Sequence, residues 1–305
     1  LPSDVGYTLP NENLNENGYN GAEGIITYKS SINDFNYSVS GNFTYSRYKS
    51  ISTYKPRFGN SWAEYRNSAE GRWGGIWWGY QVVGRFENEE EIRNYPINID
   101  GQNNRTLLPG DFIYKDVNED GVINWMDERP IGYPDSWSPM ISYGGTIAMN
   151  WKNIDLTIDL AGATMQSWYQ NYELRNPFHA GGNSPAYLLE DRWHRADPYD
   201  PESEWIPGRY PAIRNGNVGP NHRNSDFWLT NVWFLRLRNI ELGYTLPKEW
   251  VSKVNVDRLR FYVTGSNLVS FDNVNGFEID PEISANASVV YPQQRTIVVG
   301  LNLSL

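Results

Sequence analysis

The chain has 305 residues, 39% hydrophobic and 15% aromatic, with a formal net charge of −10. That acidic balance argues against nucleic acid, whose phosphates call for clustered Lys and Arg. The absence of Cys removes disulfides and thiolate metal sites, and no run of about 18 apolar residues exists to cross a membrane as a helix. A crossing made of strands stays open, because each needs only about 10 residues, apolar at every second position.

The opening "LPSDVGYTLPNENLNENGYNG" has no initiator Met and no basic-then-apolar leader, so it reads as the later part of a longer polypeptide. The stretch 34–48, "DFNYSVSGNFTYSRY", alternates strictly. Phe35, Tyr37, Val39, Gly41, Phe43 and Tyr45 share one face, and Asn36, Ser38, Ser40, Asn42, Thr44 and Ser46 share the other. Its length exceeds the 5 or 6 residues typical of a globular strand. Next comes an aromatic cluster, Trp73, Trp77, Trp78 and Tyr80. Flat rings of this kind stack on sugar faces and on apolar peptide side chains; they serve equally to pack a loop against its support. The same two readings apply to Trp193 and Trp205.

Residues 115–130, "KDVNEDGVINWMDERP", place Asp116, Asn118, Asp120, the Val122 carbonyl and Asp127 at positions one, three, five, seven and twelve of a calcium loop, with Gly121 at the bend. Glu128 or a water is expected to complete the shell. The plain alternative is a turn, since Asn, Asp and Gly are ordinary loop formers. We favour a structural Ca²⁺ that stiffens a long segment expected to lack a core of its own.

A hairpin follows. Ile141, Tyr143, Ile147 and Met149 alternate with small and polar residues, and "IDLTIDL" sets Ile154, Leu156, Ile158 and Leu160 opposite Asp155, Thr157 and Asp159. Asp155 and Asp159 read as a hydrated wall rather than as glycosidase carboxylates. Segment 184–195 admits a short helix. His179, His194 and His222 are widely spaced and form no metal motif, and Arg209, Arg214 and Arg223 could meet acidic ligands or a partner surface. "FLRLRNIELGYTLP" needs a bulge near Asn239 to keep its apolar residues on one face. "RLRFYVTGSN" and "RTIVVGLNLSL" close the chain with the same alternation. Two architectures fit: a sandwich with a dry centre, or a wide barrel whose apolar face meets lipid and whose polar face lines a wet lumen. Strand length, Tyr and Trp near strand ends (Tyr45, Tyr48, Trp151, Trp168, Trp228, Trp233, Tyr244), and short turns opposite long loops favour the barrel.

Several stretches, "PGDFIYKDVNEDGVINWMDERPIGYP", "FLRLRNIELGYTLPKEW", "LRFYVTGSNLVSF" with "GFEIDPE", and "RTIVVGLNLSL", together resemble the C-terminal part of SusC/RagA-type TonB-dependent outer-membrane transporters of Bacteroidetes. "NYSVSGNFTYSR" and "EGRWGGIWWGYQVVGRFENEEEI" are similar to that family too. The resemblance implies an all-β fold, with residues 1–305 forming about eight antiparallel strands of a large transmembrane β-barrel. Long extracellular loops are expected at about 49–138 and 166–227, and the plug domain and TonB-contacting segment are not in this chain. It further implies nutrient uptake across the cell outer membrane rather than catalysis, with an oligosaccharide or peptide as ligand, a SusD-like surface lipoprotein as lid and the TonB complex as energy source. The competing reading is a soluble all-β carbohydrate-binding or glycan-hydrolysing domain.

Overall fold

The computed structural model describes residues 13–54, 56–134, 138–214, 219–277, 279–282 and 293–305. Residues 1–12, most of the opening stretch, lie outside them. Seven long strands form one antiparallel sheet: β1 (Glu16–Ile32), β2 (Phe35–Ser52), β3 (Ile141–Trp151), β4 (Ile154–Tyr169), β5 (Leu229–Thr245), β6 (Arg258–Asp272) and β7 (Thr296–Ser304). Each pairs with its neighbours in sequence, so the sheet is a meander with β1 and β7 at its edges. Among the described residues the sheet has seven strands, in keeping with the portion of about eight expected.

The register explains why the alternation matters. Reading across all seven strands, one row runs Tyr28, Val39, Ile147, Ile158, Ile240, Gly265, Ile297, and the next runs Ser30, Tyr37, Met149, Leu156, Leu242, Val263, Val299. A third, at the turn end, is Ile32, Phe35, Trp151, Ile154, Tyr244, Phe261, Leu301. The opposite face carries Thr27, Ser40, Thr146, Asp159, Asn239, Ser266 and Thr296 in one row. Hydroxyls bond along it to one another, to a carboxylate and to a carboxamide: Thr27 Oγ1 to Ser40 Oγ at 2.9 Å, Thr146 Oγ1 to Asp159 Oδ1 at 2.8 Å, and Ser266 Oγ to Asn239 Oδ1 at 3.2 Å.

The apolar face is not covered by a second sheet. Trp151, Leu242, Phe261, Val299 and Leu301 are all exposed, Val299 by 76%. A continuous apolar face of this kind is foreign to a water-soluble monomer, whose largest exposed patch covers a few hundred Å². It is what lipid requires. Among the described residues no helix is long and apolar enough to cross a membrane.

Two-residue turns join β1 to β2 and β3 to β4, with Asn33 and Lys152 at positive φ of 51° and 54°, as hairpins twisted with their strands prefer. On β5 the register shifts between Leu237 and Asn239. Against β4 Arg238 is the extra residue, whereas against β6 Asn267 and Leu268 both stand opposite it; the expected bulge lies one position from Asn239.

The opposite ends of the strands carry the long connections, 53–140 and 170–228. Short helices punctuate the chain: α1 (Ser61–Asn67), α2 (Glu89–Asn94), α3 (Ala186–Glu190) and, in the β5–β6 turn, α4 (Lys248–Val251). α3 falls inside the segment that admitted a helix. The expectation that these connections lack a core is overturned. Phe86, Ile99, Phe112, Tyr114 and Ile123 from the first bury against Leu188, Tyr210 and Trp228 from the second. Enough aromatic and aliphatic surface is present in both segments for the two to fold on each other.

Candidate functional site

Three polar constellations stand on or above the hydroxyl-rich face. The first is at the turn end. Arg260 on β6 reaches across β5 to Asp155 on β4, with Nε donating to Oδ1 at 3.0 Å and Nη2 bonding Oδ2 as well. The same Nη2 donates to Glu241 Oε1 at 2.7 Å, and Thr264 Oγ1 donates to Glu241 Oε2 at 2.7 Å. The span is possible because β5 carries Gly243 beneath the guanidinium, where a Cβ would collide with Nε and Nη2. Asp155 and Asp159 are thus wall groups with partners, as the sequence suggested.

The second lies at the other end of β5. The bulge at Arg238 turns both Arg236 and Arg238 to the polar face. Arg236 donates to Asp280 Oδ2 at 2.7 Å, Glu282 Oε2 at 2.6 Å and Gln293 Oε1 at 2.9 Å, and Arg238 also bonds Glu282. The buried Gln166 of β4 donates to the Pro281 carbonyl at 3.1 Å. Phe277 lies against Trp168, ring centroids 5.2 Å apart, beside buried Val232 and Val274. Residues 273–277 and 279–282 are therefore fastened over the polar face of β4 and β5 by charge and by aromatic packing. No sequence pattern announced it; the one hint was "GFEIDPE", an acidic string with no partner in its own neighbourhood.

The third joins the two long connections. Asp111, fully buried, accepts from Arg214 Nη1 at 2.8 Å, from Arg214 Nη2, from Asn221 Nδ2 at 2.7 Å and from the Leu108 amide at 2.9 Å. Arg223 donates to the carbonyls of Ile99 (2.8 Å) and Ile123 (3.2 Å). Arg209, Arg214 and Arg223 are the arginines whose sequence context allows an acidic ligand or a partner surface. Of these, Arg214 and Arg223 are committed to holding the loop body together. The His222 imidazole is pushed down to about 4, first by burial and then by the nearby Arg175 and Arg214 charges. It is a neutral packing group at physiological pH.

In the loop 116–127, Asp116 Oδ2 accepts from the Gly121 amide at 2.8 Å. Asn118 Nδ2 donates to Asp120 Oδ2 at 2.8 Å, and Asp120 Oδ1 accepts from the Val122 amide at 2.9 Å. These bonds, led by the one from Asn118, hold the Asp120 carboxyl below the usual range. Asp127, almost wholly buried, caps its own one-turn helix: its oxygens accept from Val117 N (2.9 Å) and Asn124 N (2.8 Å). Gly121 sits at φ +79°, a conformation most L-residues avoid. Asp116 Oδ1 is buried with no partner among the described residues, an oxygen left for a cation. Against that, no three acidic or His side chains among the described residues gather into a metal cluster. An ion would have to displace the bond between Asn118 and Asp120. Glu128 Oε2 accepts from Arg66 Nε at 2.6 Å, so an ion that used this carboxylate would share it with a guanidinium.

Each ring of the aromatic cluster already has a neighbour. Tyr80 is buried in the loop core, and Trp77 stacks on Tyr169 with centroids 5.4 Å apart. Trp78 lies edge-on to Tyr65 and under Arg66 and Arg72. Trp73 is covered by Arg47 and Lys49. Trp193 packs over Gly110, and Trp205 under Arg195.

No protein-family model matches the chain. Among curated proteins it is similar to TonB-dependent receptor P3 of Formosa agariphila, 24% identical over 250 residues, covering 77% of the chain and 22% of that receptor. It is also similar to TonB-dependent receptor P26 of the same organism, 26% identical, covering 75% of the chain and 22% of the relative. The chain thus spans about a fifth of the length of these relatives. Among solved structures, the RagAB peptide transporter superimposes with a TM-score of 0.66 at 19% identity, over 99% of the chain and 31% of that one. The RagAB peptide importer in its open-open state gives 0.65 at 19% identity, over 100% and 30%. The sheet and its connections share the fold of that portion.

Proposed function

We propose that this segment of a TonB-dependent, RagA-like β-barrel forms part of the wall and the loop body of an outer-membrane importer. The whole transporter carries a peptide or oligosaccharide inward, driven through TonB, with a SusD-like lipoprotein closing over the loop body. The chain performs no bond chemistry. The observation that carries this reading is the register: three apolar rows across seven strands on one exposed face, and hydroxyl and carboxamide rows on the other. The solved relatives named for peptide import support the transport class.

The two faces give the test. Ile158 and Thr157 are adjacent on β4 and lie on opposite sides. In the full-length protein, Ile158→Arg is expected to cost about 2–4 kcal/mol at mid-membrane and to cut the yield of assembled, heat-modifiable barrel in the outer-membrane fraction. Thr157→Arg, facing the lumen, assembles normally. Equal yields from the two variants would remove the assignment of faces.

We also propose that the loop 116–127 holds Ca²⁺ through Asp116, Asn118, Asp120, the Val122 carbonyl and Asp127. Its role is not to replace a core, since Ile123 is already buried in one and the Asn98 amide donates to the Gly121 carbonyl at 2.8 Å. What favours an ion there is Asp116 Oδ1, buried with no hydrogen-bond partner among the described residues. Chelation is expected to expose 110–130 to protease in the full-length protein and added Ca²⁺ to reverse it; cleavage indifferent to both would rule the ion out.

A further inference from the structure

Strand β2 continues beyond the apolar rows, and what it carries there on the outward side is not apolar. Its alternation is unbroken from Phe35 to Lys49, with the first register irregularity at the Glu16/Asn17 end of the β1 pairing. Phe35, Tyr37, Val39, Phe43 and Tyr45 lie outward, and the next two outward positions are Arg47 and Lys49. From Phe35 to Tyr45 a tilted strand rises about 25 Å, the height of one apolar band. Arg47 and Lys49 therefore stand at the loop-side headgroup level.

Trp73 is brought to the same side. Where β3 ends, residues 72–74 take over its place beside β2: the Ser50 amide donates to the Arg72 carbonyl at 3.0 Å and the Gly74 amide to the Tyr48 carbonyl at 2.9 Å. Trp73 is then the cross-strand partner of Lys49. The Arg47 guanidinium lies 4.4 Å from the centroid of its ring and the Lys49 ammonium 5.5 Å. Two cations held on one indole repel each other, yet no carboxylate pairs with either among the described residues. Arg47 Nε is buried with its hydrogen unspent. The ring fixes the two cations side by side, with no carboxylate beside them among the described residues.

We propose that Arg47 and Lys49, held by Trp73, bind the phosphate of a phosphorylated lipid in the loop-side leaflet. The occupant is a lipid rather than a soluble anion because the site continues the lipid-facing surface directly. Bidentate guanidinium and a point ammonium suit a phosphate group, and the exposed rows below receive the acyl chains. This inference rests on the outward assignment of the apolar face made above.

The experiment uses the full-length transporter in phosphatidylcholine nanodiscs doped with diphosphoryl lipid A or with its dephosphorylated form, and reads retained lipid by native mass spectrometry. The phosphorylated form is expected to stay bound and the dephosphorylated form to be lost. Arg47→Gln with Lys49→Gln should lower retention roughly 25-fold, about fivefold for each basic residue at a headgroup. Inorganic phosphate in excess should not compete. Equal retention of the two lipids by the unaltered protein overturns the proposal, as does undiminished retention by a variant whose barrel remains heat-modifiable. Competition by inorganic phosphate overturns it too, in favour of a small-anion site. Failure of the unaltered protein to enter the membrane would instead remove the importer reading itself.

Discussion

Asp111→Ala is expected to loosen the whole loop body, at a cost of about 3–5 kcal/mol, the range for breaking one side of a buried ion pair. The Asp111 side chain is fully buried and Arg214 nearly so. Removing the carboxylate leaves a guanidinium out of water with no counter-charge. It also strands the Leu108 amide and Asn221 Nδ2, both of which donate to it. The effect spreads because Asp111 belongs to the first long connection, whereas Arg214 and Asn221 belong to the second. The neighbouring Phe112 amide donates to Asn221 Oδ1 at 2.9 Å and the Tyr114 hydroxyl to the Pro220 carbonyl at 2.6 Å, so the same seam carries the core aromatics. Amide hydrogen exchange in the full-length protein should show protection at Phe112 and Tyr114 falling by several orders of magnitude. Adding Arg214→Ala should restore part of it, since no unpaired charge then remains. If the single variant exchanges like the parent, the seam is not held by this pair.

Arg236→Ala is expected to free segment 273–282 from the wall at a similar cost of about 3–5 kcal/mol. Arg236 is 4% exposed and its partner Asp280 is 7% exposed. Without the guanidinium, Asp280 and Glu282 face each other with only Arg238 to offset them, leaving the Gln166–Pro281 hydrogen bond and the packing of Phe277 on Trp168 to hold the segment. These 305 residues contain no Cys, so in a full-length protein cleared of any Cys elsewhere a single Ile279→Cys reporter reads the position of the segment. Maleimide labelling of that thiol should be slow in the parent and markedly faster with Arg236→Ala. Unchanged labelling would mean that aromatic packing, not the arginine, fastens the segment.

The strands, and the side each residue takes, were written in the amino-acid sequence. Side-chain alternation has a period of two residues and needs no distant partner, so Phe35 to Tyr45 and Ile154 to Leu160 declared their faces locally. Even the bulge near Asn239 could be read, because two apolar series one residue out of step admit few repairs. The motif order then carried the resemblance that the fold comparisons bear out. Only the tertiary structure decided what the irregular segments do. Asp111 meets Arg214 and Asn221 across more than a hundred residues, and no local period encodes such a pairing. For the same reason the sequence left the aromatic cluster open between stacking on a ligand and packing a loop. Its rings are taken up by Tyr169, Tyr65, Arg66 and Arg47, neighbours that only the folded chain supplies. Alternation is a property of one strand; a loop core is a property of two segments meeting, and it exists once the sheet has brought their ends together.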